Sequence, residues 1–237
     1  MRRTLRALAA LLGYPSAELL AHVPELREAL RDEGALPRAN LRRLEPLLAR
    51  LETDDLLDAQ ATYSELFDRS RSLALHLFEH VHGESRERGP AMIDLGQQYL
   101  DRGFLLESLE LPDFVPVFVE FASCLAPSEA AAMLAEPAHV FAALEERLAS
   151  RGSDYAAVFH ALLALASERP DGAALAELNQ NAPSDDPARI DEEWEERAVT
   201  FTAADMGGPT GIVARLRAKG KAMTAAKTTA AKTGTKG

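Results

Sequence analysis

One amphipathic pattern follows another along most of this chain. Leu5, Leu8 and Leu12 recur at helical spacing and predict a first helix over 4–12, stopped by Gly13 and Pro15. Ser16 is placed to cap a second, from Ala17 to about Arg31, with Pro24 marking a kink or break inside it. Helices follow over 40–51, from a cap at Asp54 to about Arg69, over 70–82 ending at Gly83, and over 86–100 ending at Gly103. Pro112 opens the next, which reaches Leu125. One begun by Ser128 breaks at Pro137 and resumes to about Ser150. Ser153 caps a last long helix to Glu168, and 173–179 adds a short one. No alternating apolar run flanked by turn residues reads as a strand. The expectation is an all-α globule of about nine or ten helices packed on one another.

The pattern stops after Asn181. The predicted organisation is a helical domain over 1–181, an acidic linker and Trp194-containing segment over 182–218, and a low-complexity Ala/Thr/Lys tail over 219–237 that reads as disordered. Composition agrees: of 237 residues, 47% are hydrophobic and 27% charged, enough for one globular core with tails. Cys124 is the single cysteine, which excludes a disulfide scaffold, a cysteine zinc finger and a cysteinyl iron–sulfur cluster within the chain. The longest apolar stretch, Ala156 to Ala166, is interrupted by His160 and too short to span a bilayer, so stable membrane insertion is not expected. The basic start at Arg2 and Arg3 followed by Leu8 to Leu12 is similar to a leader, but Glu18 follows soon and Leu5, Leu8 and Leu12 fit a helix face, so it reads as helix, which points to the cytoplasm.

Charge is unevenly spread. The net value is −11, but Arg215, Arg217, Lys219, Lys221, Lys227, Lys232 and Lys236 carry seven positive charges without an acid among them. Setting those aside leaves 19 basic against 37 acidic residues, a net −18. Such a body repels nucleic acid and suits a basic or polar peptide.

Two clusters concentrate polar chemistry. The first is Glu79, His80, His82, Glu84 and Arg86. His76 and His80 are four apart, which on a continuous helix gives them one face. Glu79 and His82 have the Glu-x-x-His spacing of di-iron bundles, and Glu136 and His139 repeat it. That admits a helical-bundle, metal-dependent oxidoreductase as the alternative reading. Pro137 inside the second motif opposes it, and so does the roughly 160° between His80 and His82 on a regular helix. The second cluster is Glu110, Pro112, Asp113 and Glu120. With Pro112 at the first helical position, Asp113 lies in the first turn, and Asp113 and Glu120 stack two turns apart on an acidic, solvated face. No Gly-x-Ser-x-Gly elbow, phosphate loop or dinucleotide fingerprint is present, and no basic residue adjoins Cys124, so nucleophilic catalysis is not expected.

Taken together, Tyr63 to Arg69, Leu77-Phe78-Glu79-His80-Val81-His82-Gly83-Glu84-Ser85-Arg86 and Glu110-Leu111-Pro112-Asp113 resemble the molybdenum cofactor assembly chaperones of respiratory nitrate reductase. These are also called nitrate reductase delta subunits and belong to the TorD-like redox-enzyme maturation chaperones. The resemblance covers about Leu5 to Leu165. It implies an all-helical, non-enzymatic chaperone with no cofactor or metal of its own. Such a protein binds the immature α subunit at its N-terminal segment in the cytoplasm, supports molybdenum cofactor insertion, meets cofactor-synthesis proteins and delays membrane docking. It is not a subunit of the finished enzyme. The superfamily's Glu-Pro-x-Asp-His motif corresponds to Glu110, Pro112 and Asp113, with the proline shifted by one and Phe114 where the His would be. On this reading Glu79, His80, His82, Glu84, Arg86, Glu110, Pro112, Asp113 and Glu120 surround the peptide groove, and Asp113, Glu120 and Glu84 pair with basic residues of the peptide.

Overall fold

The leucines at helical spacing do start a helix. α1 (Arg2–Leu11) buries Leu5, Leu8 and Leu11 completely and leaves Arg2, Arg3 and Arg6 in water. The computed structural model describes residues 1–83, 85–106 and 110–183. Within them follow α2 (Ala17–Ala21), α3 (Val23–Asp32), α4 (Arg38–Thr53), α5 (Leu56–Phe67), a 3-10 turn (Arg71–Leu73) and α6 (Leu77–His82). Then come α7 (Arg88–Asp101), α8 (Val115–Ser123), α9 (Pro127–Ala135), α10 (Ala138–Ser150), α11 (Ala156–Leu165) and α12 (Gly172–Gln180). The all-α expectation holds: among the described residues the one β-type pairing is a single bridge, His76 to Phe114. The linker and tail expected beyond 181 lie, from residue 184 on, outside the described residues.

Local chemistry sets the boundaries. Ser16 caps α2 by accepting from the Leu19 N–H at 3.1 Å, as its sequence position suggests. The chain breaks at His22, and Pro24 sits in the first turn of α3, where its missing N–H costs nothing. Asp55, not Asp54, caps α5 through the Leu57 N–H; Asp54 ends α4 instead. The expected helix over 70–82 is two pieces. Ala74 to His76 is extended because it pairs with the segment before α8, so His76 precedes α6 and does not share a helix face with His80. Gly83, at φ 52°, ends α6 in a conformation that disfavours a side chain.

One hydrophobic core runs through the bundle. α1 packs along α8, α10 along α11, and α3 lies between α1 and α4, while α12 rests on α10. Tyr99, Phe141, Tyr155 and Phe159 are fully buried within it. Tyr63 joins α5 to the end of α1 and the start of α11. Its ring meets Phe67 at 4.8 Å and Tyr155 at 6.3 Å, and its hydroxyl donates to the Leu12 carbonyl at 2.9 Å. Burial pushes that phenol above its ordinary pKa. Arg147 fastens α12 by donating to the carbonyls of Ser72 and Leu178.

Tyr63→Phe strands the Leu12 carbonyl while keeping the ring. It should destabilise the fold by about 1 kcal/mol, read as a lower urea midpoint at unchanged slope.

Candidate partner-binding site

The two polar clusters meet, but not as a solvated acidic face. The backbone of Leu75 to Leu77 runs antiparallel to Asp113 to Val115. The Val115 N–H donates to the Leu75 carbonyl at 2.8 Å, and the Leu77 N–H to the Asp113 carbonyl at 3.0 Å. That pairing keeps 113–114 extended, so α8 starts at Val115 with Pro116 in its first turn. The expectation that Pro112 opens the helix is therefore corrected. Asp113 lies outside α8 and shares no helix face with Glu120.

Asp113 has no exposed surface, whereas Glu120 is exposed. A buried carboxylate needs donors on its oxygens, and it has them. One oxygen accepts from the Phe78 N–H at 3.0 Å, which caps the first turn of α6; the other accepts from His76 Nδ1 at 3.3 Å. The hydrogen bond to Asp113 raises the His76 pKa above its ordinary value against the opposing effect of burial. Asp113 is thus removed from the set of surface residues able to meet a docked peptide directly. It holds α6 to the start of α8 instead. Pro112 is fixed in turn, because its carbonyl accepts from the buried Tyr99 hydroxyl at 2.7 Å.

The first cluster is also engaged in holding the fold. His80 Nε2 donates to the Ala74 carbonyl at 2.7 Å, and burial lowers its pKa, so the ring is neutral. Burial lowers that of His82 as well; its ring lies edge-on to Phe78, and its Nε2 is buried without a hydrogen-bond partner among the described residues. Glu79 pairs with Arg88 of α7 at 3.0 Å. Arg86 and Glu110 are exposed, and Glu84 lies outside the described residues. The Glu-x-x-His spacing does not become a metal centre. Pro137 separates α9 from α10, so Glu136 ends one helix and His139 starts the next. No three His, Cys, Asp or Glu side chains among the described residues gather as a ligand set.

Sequence reasoning missed the apolar surface beside this clasp. α7 buries only the stripe Ala91, Leu95, Tyr99, while Ile93 is 73% and Leu100 51% exposed. Leu105 and Leu111 extend the exposed apolar set. The signal was available: Ile93 and Leu100, seven apart, lie off the buried stripe. Next to them an open pocket of about 230 Å³ lies over Phe104, Phe121 and Leu125, with Cys124 at its wall and the Arg102–Glu129 ion pair across it.

Fold and site together define an all-α protein whose buried polar groups brace its own helices beside an exposed apolar surface. The chain belongs to the nitrate reductase delta subunit family, whose model matches residues 16–161. The nitrate reductase molybdenum cofactor assembly chaperone NarJ of Escherichia coli (strain K12) is 45% identical over 208 residues, 87% of this chain and 88% of that protein. The probable nitrate reductase molybdenum cofactor assembly chaperone NarW of the same organism is 38% identical over 83% of each chain. The probable chaperone NarJ of Bacillus subtilis (strain 168) is 31% identical, covering 68% of this chain and 86% of that one. Membership of this family makes the chain a chaperone rather than a catalyst.

Asp113→Ala leaves the Phe78 N–H buried and unpaired and should cost about 2–4 kcal/mol in chemical unfolding. The His76–Asp113 pair has a definite pH signature. The folded state holds the His76 proton more tightly than the unfolded chain, whose histidine titrates near 6.5. Its contribution is therefore complete below that value and lost as pH rises through the higher folded one. The stability gap between the natural protein and His76→Gln should be widest near about pH 5.5 and shrink toward about pH 8.5; a gap that widens with pH would contradict the assignment.

Proposed function

We propose that this chain is an assembly chaperone that binds the catalytic α subunit of nitrate reductase before its molybdenum cofactor is inserted. The observation that carries this is the 45% identity to an assembly chaperone along 88% of that protein's length. On this reading the chaperone acts in the cytoplasm, recognises the N-terminal segment of α, keeps α open for cofactor insertion and delays its docking on the membrane. Cofactor-synthesis proteins are the further partners this reading implies.

The surface best suited to that segment lies around α7 and the turn before α8. An amphipathic helix laid there would bury its apolar side against Ile93, Leu100, Leu105 and Leu111, with one side chain entering the pocket over Phe104 and Phe121. Each well-seated apolar anchor contributes about 1.5–3 kcal/mol before the cost of ordering the peptide. On this reading Glu79, His82, Arg86, Glu110 and Glu120 supply the polar surroundings, and Glu84, outside the described residues, is a further candidate. Exposed acids such as Glu110 and Glu120 govern approach and orientation of basic residues more than affinity. Asp113, His80 and Pro112 serve by positioning, since the clasp fixes α6 and the turn against α8.

Calorimetry with a synthetic peptide of the α-subunit N-terminus should show saturable binding near one-to-one. Ile93→Asp with Leu100→Asp should weaken it at least about tenfold at unchanged melting temperature, because both side chains are exposed. Full affinity in that double variant would move the groove elsewhere. Binding of whole apo-α without the peptide would reject the segment, and binding of neither would reject the chaperone reading.

A further inference from the structure

A second charged surface lies at the end of the bundle where α1 and α4 begin. Glu33, at the C-terminal end of α3, accepts from the backbone N–H of Arg3 at 3.1 Å and of Thr4 at 2.7 Å, both in the first turn of α1. α4 starts at Arg38, after a short turn that buries Leu36. α3 packs against both helices. The N-termini of α1 and α4 therefore share one end of the molecule with the close of α3.

Six arginines crowd that end. Arg2, Arg3 and Arg6 occupy the first turns of α1, and Arg38, Arg42 and Arg43 those of α4. All six are exposed, and none makes a side-chain hydrogen bond or ion pair among the described residues. This contrasts with Arg27, Arg50, Arg69, Arg88 and Arg102, each of which has a carboxylate partner. Neither helix has an acid in its first turn or a side-chain cap, so both positive dipole ends add to the field. Three acids are near. Asp32 is exposed, and Glu45, one turn on from Arg42, is paired with Arg27 and Arg31. For Glu33, burial opposes ionisation but is outweighed by the Met1 ammonium at 2.8 Å and the N–H groups of Thr4 and Arg3, which hold its pKa at about 2. Its charge is thus already matched. A concentrated positive field stands on a chain of net charge −11.

The texture of the patch says what it fits. A protein partner is held by apolar and aromatic anchors in the middle of its interface. The exposed large apolar side chains, Tyr14, Leu57, Ile93, Leu100, Leu105 and Leu111, all lie outside this end. Nor does it carry an aromatic platform for stacking nucleic-acid bases. What remains is charge alone, spread over two helix starts without an apolar centre. A fluid layer of anionic headgroups can match such charges at any spacing, and its attraction falls off within a Debye length of about 8–10 Å. The acidic remainder of the body is thereby screened from the same surface. We infer that the Arg2, Arg3, Arg6, Arg38, Arg42 and Arg43 end docks reversibly on anionic lipid headgroups, without insertion, as an activity separate from peptide recognition.

The test is co-sedimentation of the full chain with vesicles of phosphatidylcholine alone or with about one-third phosphatidylglycerol. Because the C-terminal tail is also basic, two variants are needed: all six patch arginines to Gln, and the seven tail cations to Gln. Expected are binding only to the phosphatidylglycerol vesicles, loss of it with added salt, and near-full retention in the tail variant. Each patch arginine near the surface accounts for roughly a five-fold change in partition, so the patch variant should lose at least about 100-fold. Its helical circular dichroism should be unchanged, since the six side chains hold nothing in the fold. No dependence on anionic lipid, or loss only in the tail variant, overturns the inference. So does retention of the patch on soluble polyglutamate but not on vesicles, which would assign it to an acidic protein.

Discussion

A carboxylate with no exposed surface has to be satisfied by the protein around it, and the arrangement of α6, α7 and α8 follows from how that is done for Asp113. The Phe78 N–H would otherwise be one of the unpaired donors at a helix start, and Asp113 caps it from a segment 35 residues further along the chain. The same stretch exchanges two backbone hydrogen bonds with Leu75 to Leu77, and the Tyr99 hydroxyl closes on Pro112 from α7. Three helices are thus tied at one knot of mutually dependent hydrogen bonds. Removing one member leaves the others buried and unmatched, so the knot behaves as a unit rather than as a sum of weak contacts.

Much of the fold was legible in sequence because helical periodicity, proline and glycine act locally. The break near Pro24, the separation of α9 from α10 at Pro137 and the glycine stop of α6 all follow from the residues present. The start of α8 was not legible in the same way. Pro112 and Pro116 both suit a first turn, and the choice between them is made by a pairing with residues 75–77. That is a contact between distant parts of the chain, which no local preference encodes. The same contact splits the predicted helix over 70–82 and separates His76 from His80.

For the candidate site, the fold brings the two sequence clusters together through the pairing of residues 75–77 with 113–115. Their role was not legible. Exposed acid and buried acid look alike in a sequence, and the spacing of Asp113 and Glu120 suggested a common face that the extended backbone before Val115 abolishes. The apolar side chains of α7 were overlooked because the helix has two candidate stripes. Only packing decides that Ala91, Leu95 and Tyr99 turn inward.

The lone thiol gains a practical meaning from where the fold leaves it. Cys124 is exposed at the wall of the pocket beside Phe104 and Phe121, and no second cysteine competes with it anywhere in the chain. A fluorophore or nitroxide attached there would sit on unmutated protein at the border of the apolar surface. Occupancy of that surface could then be followed in real time from a single defined position.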